Sequence, residues 1–168
     1  NDEYELFRTT LLHHLMEDRE TVLALTSQDS IQLQNMGYWL SIQTSRVDAL
    51  RKAGRPEEAV ELSLRLLKAY DGYAQLWFYF GCALLDLGEF IRAMGAFRRA
   101  EKCERFTHVT LYSENSVWEW QSALGKLFSL IGLGDIDEAR SQMKLAFKRV
   151  PEVMSQRLTE QLVTSLLQ

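Results

Sequence analysis

Histidine and cysteine side chains are the groups of this chain best suited to catalysis or metal binding, and the 168 residues contain only three histidines and two cysteines. His13 and His14 are adjacent, so on a helix their rings point about 100° apart and cannot easily share one metal ion. We expect both at the surface or half-buried. The sequence shows no evident nucleophile that His108 could activate as a general base. Cys82 and Cys103 belong to no Cys-x-x-Cys motif, and we expect two free thiols in a reducing compartment.

Carboxylates also occur in pairs, at Glu57-Glu58 and at Asp137-Glu138. Each pair falls in the first turn of a predicted helix, where the positive end of the helix dipole explains it without catalysis. The sequence has neither a glycine-rich phosphate loop nor a Gly-x-Ser-x-Gly nucleophile motif. It therefore predicts that this chain alone is no enzyme, with no cofactor and no metal.

Composition narrows the class of protein. The chain is 46% hydrophobic and 25% charged, with a net charge of −4, which is ordinary for a globular domain. The acidic balance argues against nucleic acid as the partner. No segment has the ~18 apolar residues that cross a bilayer. The acidic N-terminus has no signal-peptide core and no initiator Met, so we expect a cytoplasmic protein and leave open that the chain is a piece of a longer one.

The elements that position these groups are predicted to be helices throughout. Apolar residues recur at helical spacing and no segment alternates as a strand does, so we expect about nine helices. The first is marked by Leu6, Leu11, Leu12 and Leu15. Later predicted helices cover roughly 31–53, 74–87, 90–102 and 152–167.

One pattern, Leu-x3-Gly-x4-Ala, occurs three times. Its glycines are Gly54, Gly88 and Gly134, separated by 34 and then by 46 residues, so that the second interval is a 34-residue period with 12 residues inserted. Glycine readily adopts the left-handed backbone conformation of the residue at which many helices end. The pattern therefore predicts three helix–turn–helix units of similar design.

The second unit resembles the tetratricopeptide repeat, whose period is 34 residues. The resemblance rests on Trp77-x2-Phe80-Gly81-x2-Leu84 and on Ala93-x3-Phe97. It implies an all-α, right-handed superhelix of antiparallel helix pairs. On this reading N-terminal helices occupy 1–39, three units occupy 40–153 with an insertion near 104–115, and a capping helix occupies 154–168.

Repeats of this family bind partners in a concave groove lined by the first helix of each unit, and the resemblance carries those positions over to this chain. In the second and third units they are Gln75, Phe78, Tyr79, Cys82, Leu85, Gln121, Leu124 and Phe128. In the first unit they are Ser41, Thr44, Asp48 and Arg51. Such a groove suits an amphipathic helix or an extended apolar peptide, or it is filled by the chain's own C-terminal helix.

Aromatic residues surround the insertion at 104–115. Tyr112, Trp118 and Trp120 either fasten this long loop to the neighbouring helices or form an aromatic lip on the groove.

Three functions remain open from the sequence. The first is a scaffold for protein–protein interaction that holds a peptide or a partner domain. The second is a non-catalytic accessory region of a larger enzyme, because the layout is similar to the repeat region of bacterial family 2 glycosyltransferases. The third is a chaperone, because Asp71-Gly72-Tyr73 and the following Phe-Gly-Cys-Ala stretch look like those of type III secretion chaperones. Self-association into a homo-oligomer is also compatible with the sequence.

Overall fold

The computed structural model describes residues 2–27, 36–105, 114–152 and 157, and within these ranges the chain is helical and contains no strand. These ranges contain eight complete α-helices and one π-helical turn, Val117–Gln121, which runs directly into the seventh helix. The α-helices are α1 Asp2–Leu15, α2 Arg19–Leu25, α3 Met36–Lys52, α4 Pro56–Ala69, α5 Ala74–Asp86, α6 Phe90–Lys102, α7 Ser122–Gly132 and α8 Ile136–Phe147. The predicted all-α class is thus confirmed for the described part of the chain. The predicted capping helix at 154–168 lies outside it, except for residue 157.

The three repeated glycines each end a helix in the same way. Gly54, Gly88 and Gly134 have φ angles of 76°, 74° and 76°, the left-handed conformation that favours glycine. In each turn the amide after the glycine donates to the carbonyl of the leucine that opens the Leu-x3-Gly pattern, at 2.9–3.0 Å. This is the Schellman arrangement, which satisfies carbonyls at a helix end. The sequence pattern is therefore the pattern of one turn used three times.

These turns join α3 to α4, α5 to α6 and α7 to α8, and the two helices of each pair contact each other. The first helices of the pairs also contact one another, because α5 packs against both α3 and α7. The first helices of the pairs thus form one row. On the N-terminal side α1 and α2 both pack against α3.

The row is held at its centre by Phe97 of α6, whose side chain is 0% exposed. A Cβ atom added to Gly81 of α5 would lie 2.7 Å from the Phe97 ring, and one added to Gly125 of α7 would lie 2.5 Å from it. Gly81 is thus needed at a helix crossing, as the sequence predicts. Ala93, the other small residue predicted there, is fully buried in the same apolar cluster.

In the third unit the position that aligns with Gly81 of the second unit is not occupied by a small residue. Leu127 takes the aligned position and packs in the cluster that α7 forms with α8. Gly125 lies two residues earlier, which on a helix is the opposite side, and it faces α6 of the preceding pair. The two glycines therefore serve different interfaces, although both contact one ring.

Alanine at Gly125 should destabilise the fold, although alanine is the better helix former. The added methyl group overlaps a ring that is buried on every side, so we expect the free energy of unfolding to fall by about 1–3 kcal/mol. Urea denaturation followed by circular dichroism measures this.

The matched control is Gly95→Ala, because Gly95 lies in α6 and an added Cβ there meets nothing within 4 Å. It should raise the free energy of unfolding by up to about 1 kcal/mol through helix propensity alone. Equal effects of the two substitutions would contradict the packing of Phe97.

Candidate functional site

A cavity of about 250 Å³ lies between α1, α3, α5 and the π-helical turn, and we call it the central cavity. Four of the residues predicted to line the groove meet here, together with two predicted from the first unit. These six are Phe78, Tyr79, Cys82, Gln121, Asp48 and Arg51. Groove positions of all three units therefore converge on one cavity.

The other predicted groove residues do not line the central cavity. Leu124 is buried in the core that α7 forms with α8, and Leu85 and Phe128 pack half-buried against apolar clusters. Gln75 is only 1% exposed, and its side-chain carbonyl accepts a hydrogen bond of 2.9 Å from the backbone amide of Glu114. Gln75 thereby fastens the end of the insertion, at Glu114, to α5.

Of the three aromatic residues of the predicted lip, Tyr112 lies outside the described residues. The Trp118 indole donates to the carbonyl of Cys103 at 3.0 Å, and the Arg105 guanidinium lies 5.6 Å from the centre of its ring. Trp120 packs against the α7–α8 core. Neither tryptophan lines the central cavity. Both contacts match the alternative that these side chains fasten the segment to its neighbours.

The wall formed by α1 was missed at the sequence level. The buried residues of α1 are Phe7, Thr10 and His14, whereas Leu12 and Leu15, two of the leucines that mark this helix in the sequence, are 52% and 55% exposed. The predicted first helix is present, but two of its three buried residues are polar, which the spacing of the leucines did not indicate. The signal was the spacing of Phe7, Thr10 and His14 at i, i+3 and i+7.

His14 is 8% exposed, which corrects the expectation of a surface or half-buried residue. Its Nε2 shares a hydrogen bond of 2.9 Å with the Tyr79 hydroxyl, and its Nδ1 lies 3.9 Å from a carboxylate oxygen of Asp48. Burial lowers the pKa of His14 below its ordinary value of 6.5, and the Asp48 charge offsets this only in part. His14 is therefore a neutral hydrogen-bonding group at neutral pH.

Asp48 is a carboxylate in the cavity wall that is only 2% exposed. Arg51 Nη2 approaches it to 3.1 Å and Lys52 Nζ to 2.9 Å. Arg51 also reaches Asp86 at 3.2 Å, and Lys52 lies 3.8 Å from Glu17. A buried charge is tolerated only when it is paired in this way, and both cations of the cavity are already held by carboxylates.

Gln121 closes the cavity opposite α3. Its Nε2 donates to a carboxylate oxygen of Glu114 at 3.3 Å. Its Oε1 is buried and accepts no hydrogen bond from any described residue. The residue is the last of the π-helical turn, and such turns are frequent at functional sites. This oxygen is therefore an unsatisfied acceptor that the surrounding protein encloses, and almost none of its surface is accessible.

The site holds no combination of groups suited to covalent catalysis. Burial raises the pKa of the Cys82 thiol to about 12, so it is not ionised at neutral pH and is a weak nucleophile. Among the described residues no three histidines, cysteines or carboxylates are arranged to hold a metal ion. Within the same part of the chain no helix has the length and apolarity that crossing a membrane requires. No family model, curated protein or solved structure matches this chain.

Protonation of His14 should make stability depend on pH. Because its pKa is lowered in the folded state, the unfolded chain binds the proton more tightly. Stability is then complete above pH 6.5 and is lost as the pH falls below it, by up to about 1.4 kcal/mol per pH unit. Urea denaturation at pH 7.5 and pH 5.5 should show this fall for the native sequence and a smaller fall for His14→Gln.

The adjacent His13 provides the control, since it lies outside the cavity and pairs with Asp18 at 3.0 Å. We expect His13→Gln to keep the fall that His14 causes. A His14→Gln protein with the full native pH dependence would contradict the assignment.

Proposed function

We propose that this chain is a non-catalytic module for protein–protein interaction, which holds a peptide or a segment of a partner protein at the central cavity. The observation that carries the proposal is the convergence of six groove positions from three helix pairs on one cavity. Residues assigned to the groove from three separate stretches of sequence thus lie close together in the structure.

A tetratricopeptide-like superhelix is part of this proposal. Its support is the same turn at Gly54, Gly88 and Gly134, together with the row formed by α3, α5 and α7. In stacks of helical repeats such a row lines the surface on which partners bind. The cytoplasmic location is part of the proposal too, because Cys82 and Cys103 are both free thiols, as a reducing compartment favours.

The alternatives from the sequence stay predictions. No contact among the described residues favours an accessory role beside a glycosyltransferase, a secretion chaperone or a homo-oligomer. Occupation of the groove by residues 154–168 also stays a prediction, since residue 157 alone of that segment is described. What the structure adds is that α1, at the other end of the chain, supplies one wall of the cavity.

The edge of the cavity offers a test that leaves the core intact. Leu15 is a cavity residue with a half-exposed side chain, so Leu15→Trp should obstruct the opening without unfolding the protein. The probes are peptides selected from a random dodecamer display library on the immobilised native chain. Fluorescence anisotropy should show that their affinity for Leu15→Trp falls by about tenfold or more, because the indole occupies space that the bound peptide needs at the opening.

Leu12→Trp is the matched control, because Leu12 is on the same helix and similarly exposed but does not line the cavity. It should bind the peptides as the native chain does. Failure to enrich any peptide, or equal affinity for the two tryptophan variants, would overturn the proposed function.

A further inference from the structure

We propose that a second cavity of this protein binds a carboxylate group that is carried on an apolar stem. This cavity, which we call the lateral cavity, encloses about 220 Å³ and is lined by residues of α6, α7 and α8 and by Arg149. Among the described residues it shares no lining side chain with the central cavity. The inference therefore goes beyond the proposed function and does not depend on it.

Two arginine side chains of the lateral cavity have no partner. Arg98 of α6 and Arg149, which follows α8, both line it, and neither side chain forms an ion pair or a hydrogen bond with any described residue. The other arginines of α6 and α8 are Arg92, Arg99 and Arg140, and each of them pairs with a carboxylate. Of these five guanidinium groups, only the two that meet at the cavity lack an anion. A bound carboxylate would supply it.

The charge of the lateral cavity matches a single carboxylate. Its third cation, Lys126, is already compensated, because its Nζ lies 2.7 Å from a carboxylate oxygen of Glu101. One carboxylate, that of Glu138, also lines the cavity. Arg98 and Arg149 together exceed Glu138 by one positive charge. A monoanion neutralises this excess, whereas a phosphate dianion would leave excess negative charge beside Glu138.

Size and lining indicate a small head group on an apolar stem. Pockets that take drug-sized ligands enclose about 300–1,000 Å³, and the lateral cavity is smaller. Part of its lining is apolar, formed by the buried Leu130 and Ala146 and by the half-exposed Leu145. A planar guanidinium can donate two parallel hydrogen bonds to a carboxylate while methylene groups contact these side chains. A glutamate of a partner protein and a free short-chain acid both present this chemistry.

The test compares three ligands that share a stem and differ in the head group, namely hexanoate, hexanamide and hexyl phosphate. Each is titrated at pH 7.5 and low salt into the full chain, and the Nε–Hε signals of Arg98 and Arg149 are followed by NMR. Hexanoate should shift both signals until they saturate. Hexanamide should bind at least about tenfold more weakly, because the charge-assisted hydrogen bonds are lost. Hexyl phosphate should also bind more weakly than hexanoate.

Variants assign the binding to the lateral cavity. Arg98→Gln and Arg149→Gln should each raise the dissociation constant for hexanoate about fivefold or more. Arg140→Gln is the matched control, because it removes an exposed guanidinium of α8 that does not line the cavity, and it should have no effect. Glu138→Gln removes the opposing charge, so it should tighten binding of hexanoate and still more that of hexyl phosphate. A gain of affinity is a result that loss of folding cannot produce.

The peptide acetyl-Ala-Leu-Glu-Leu-Ala-amide distinguishes the two sources of the carboxylate. If it shifts the same arginine signals and binds at least as tightly as hexanoate, a partner protein supplies the group; if hexanoate alone binds, a free acid does. Absence of hexanoate binding, equal binding of hexanoate and hexanamide, or equal affinities of Arg98→Gln and Arg140→Gln would each overturn the inference. Leu15→Trp should leave hexanoate binding unchanged, which keeps this outcome separate from that of the proposed function.

Discussion

The Phe97 side chain fills the space where three helices meet, and two of them approach it with a glycine. Gly81 of α5 and Gly125 of α7 leave no room for even a methyl group beside the ring. The separation of these two helices is therefore set by the thickness of one aromatic ring. The central cavity depends on this separation, since α5 supplies Phe78, and Gln121 lies in the turn that leads into α7. A larger residue at either glycine changes the distance across the site as well as the stability of the fold.

Local chemistry made part of this structure predictable. Each Leu-x3-Gly turn is specified within six residues, so sequence alone located the C-terminal ends of α3, α5 and α7, the three helices of the row. The groove positions of α3 and α5 followed from the same alignment and meet at the cavity, as Asp48, Phe78 and Cys82 show. These features depend on contacts between neighbours in the sequence or in the repeat.

The remaining features could not be predicted because they depend on distant contacts. The buried face of α1 contains His14, whose hydrogen-bond partner Tyr79 lies 65 residues away, and Thr10, whose hydroxyl forms no hydrogen bond with any described residue. Gly125 escaped the repeat alignment because it serves the contact with the previous pair rather than its own. Of the residues assigned to the groove, Leu124 is buried in the core that α7 forms with α8, while Leu85 and Phe128 pack half-buried against apolar clusters.

The π-helical turn lets neighbouring side chains take up unrelated tasks. Trp118 and Gln121 are three residues apart, a spacing that on an α-helix would put them on one face. Here Trp118 donates to the Cys103 carbonyl, while Gln121 lies at the central cavity. Because a π-helical turn contains more residues than an α-helical turn, the side chains before it and those of α7 after it point in different directions.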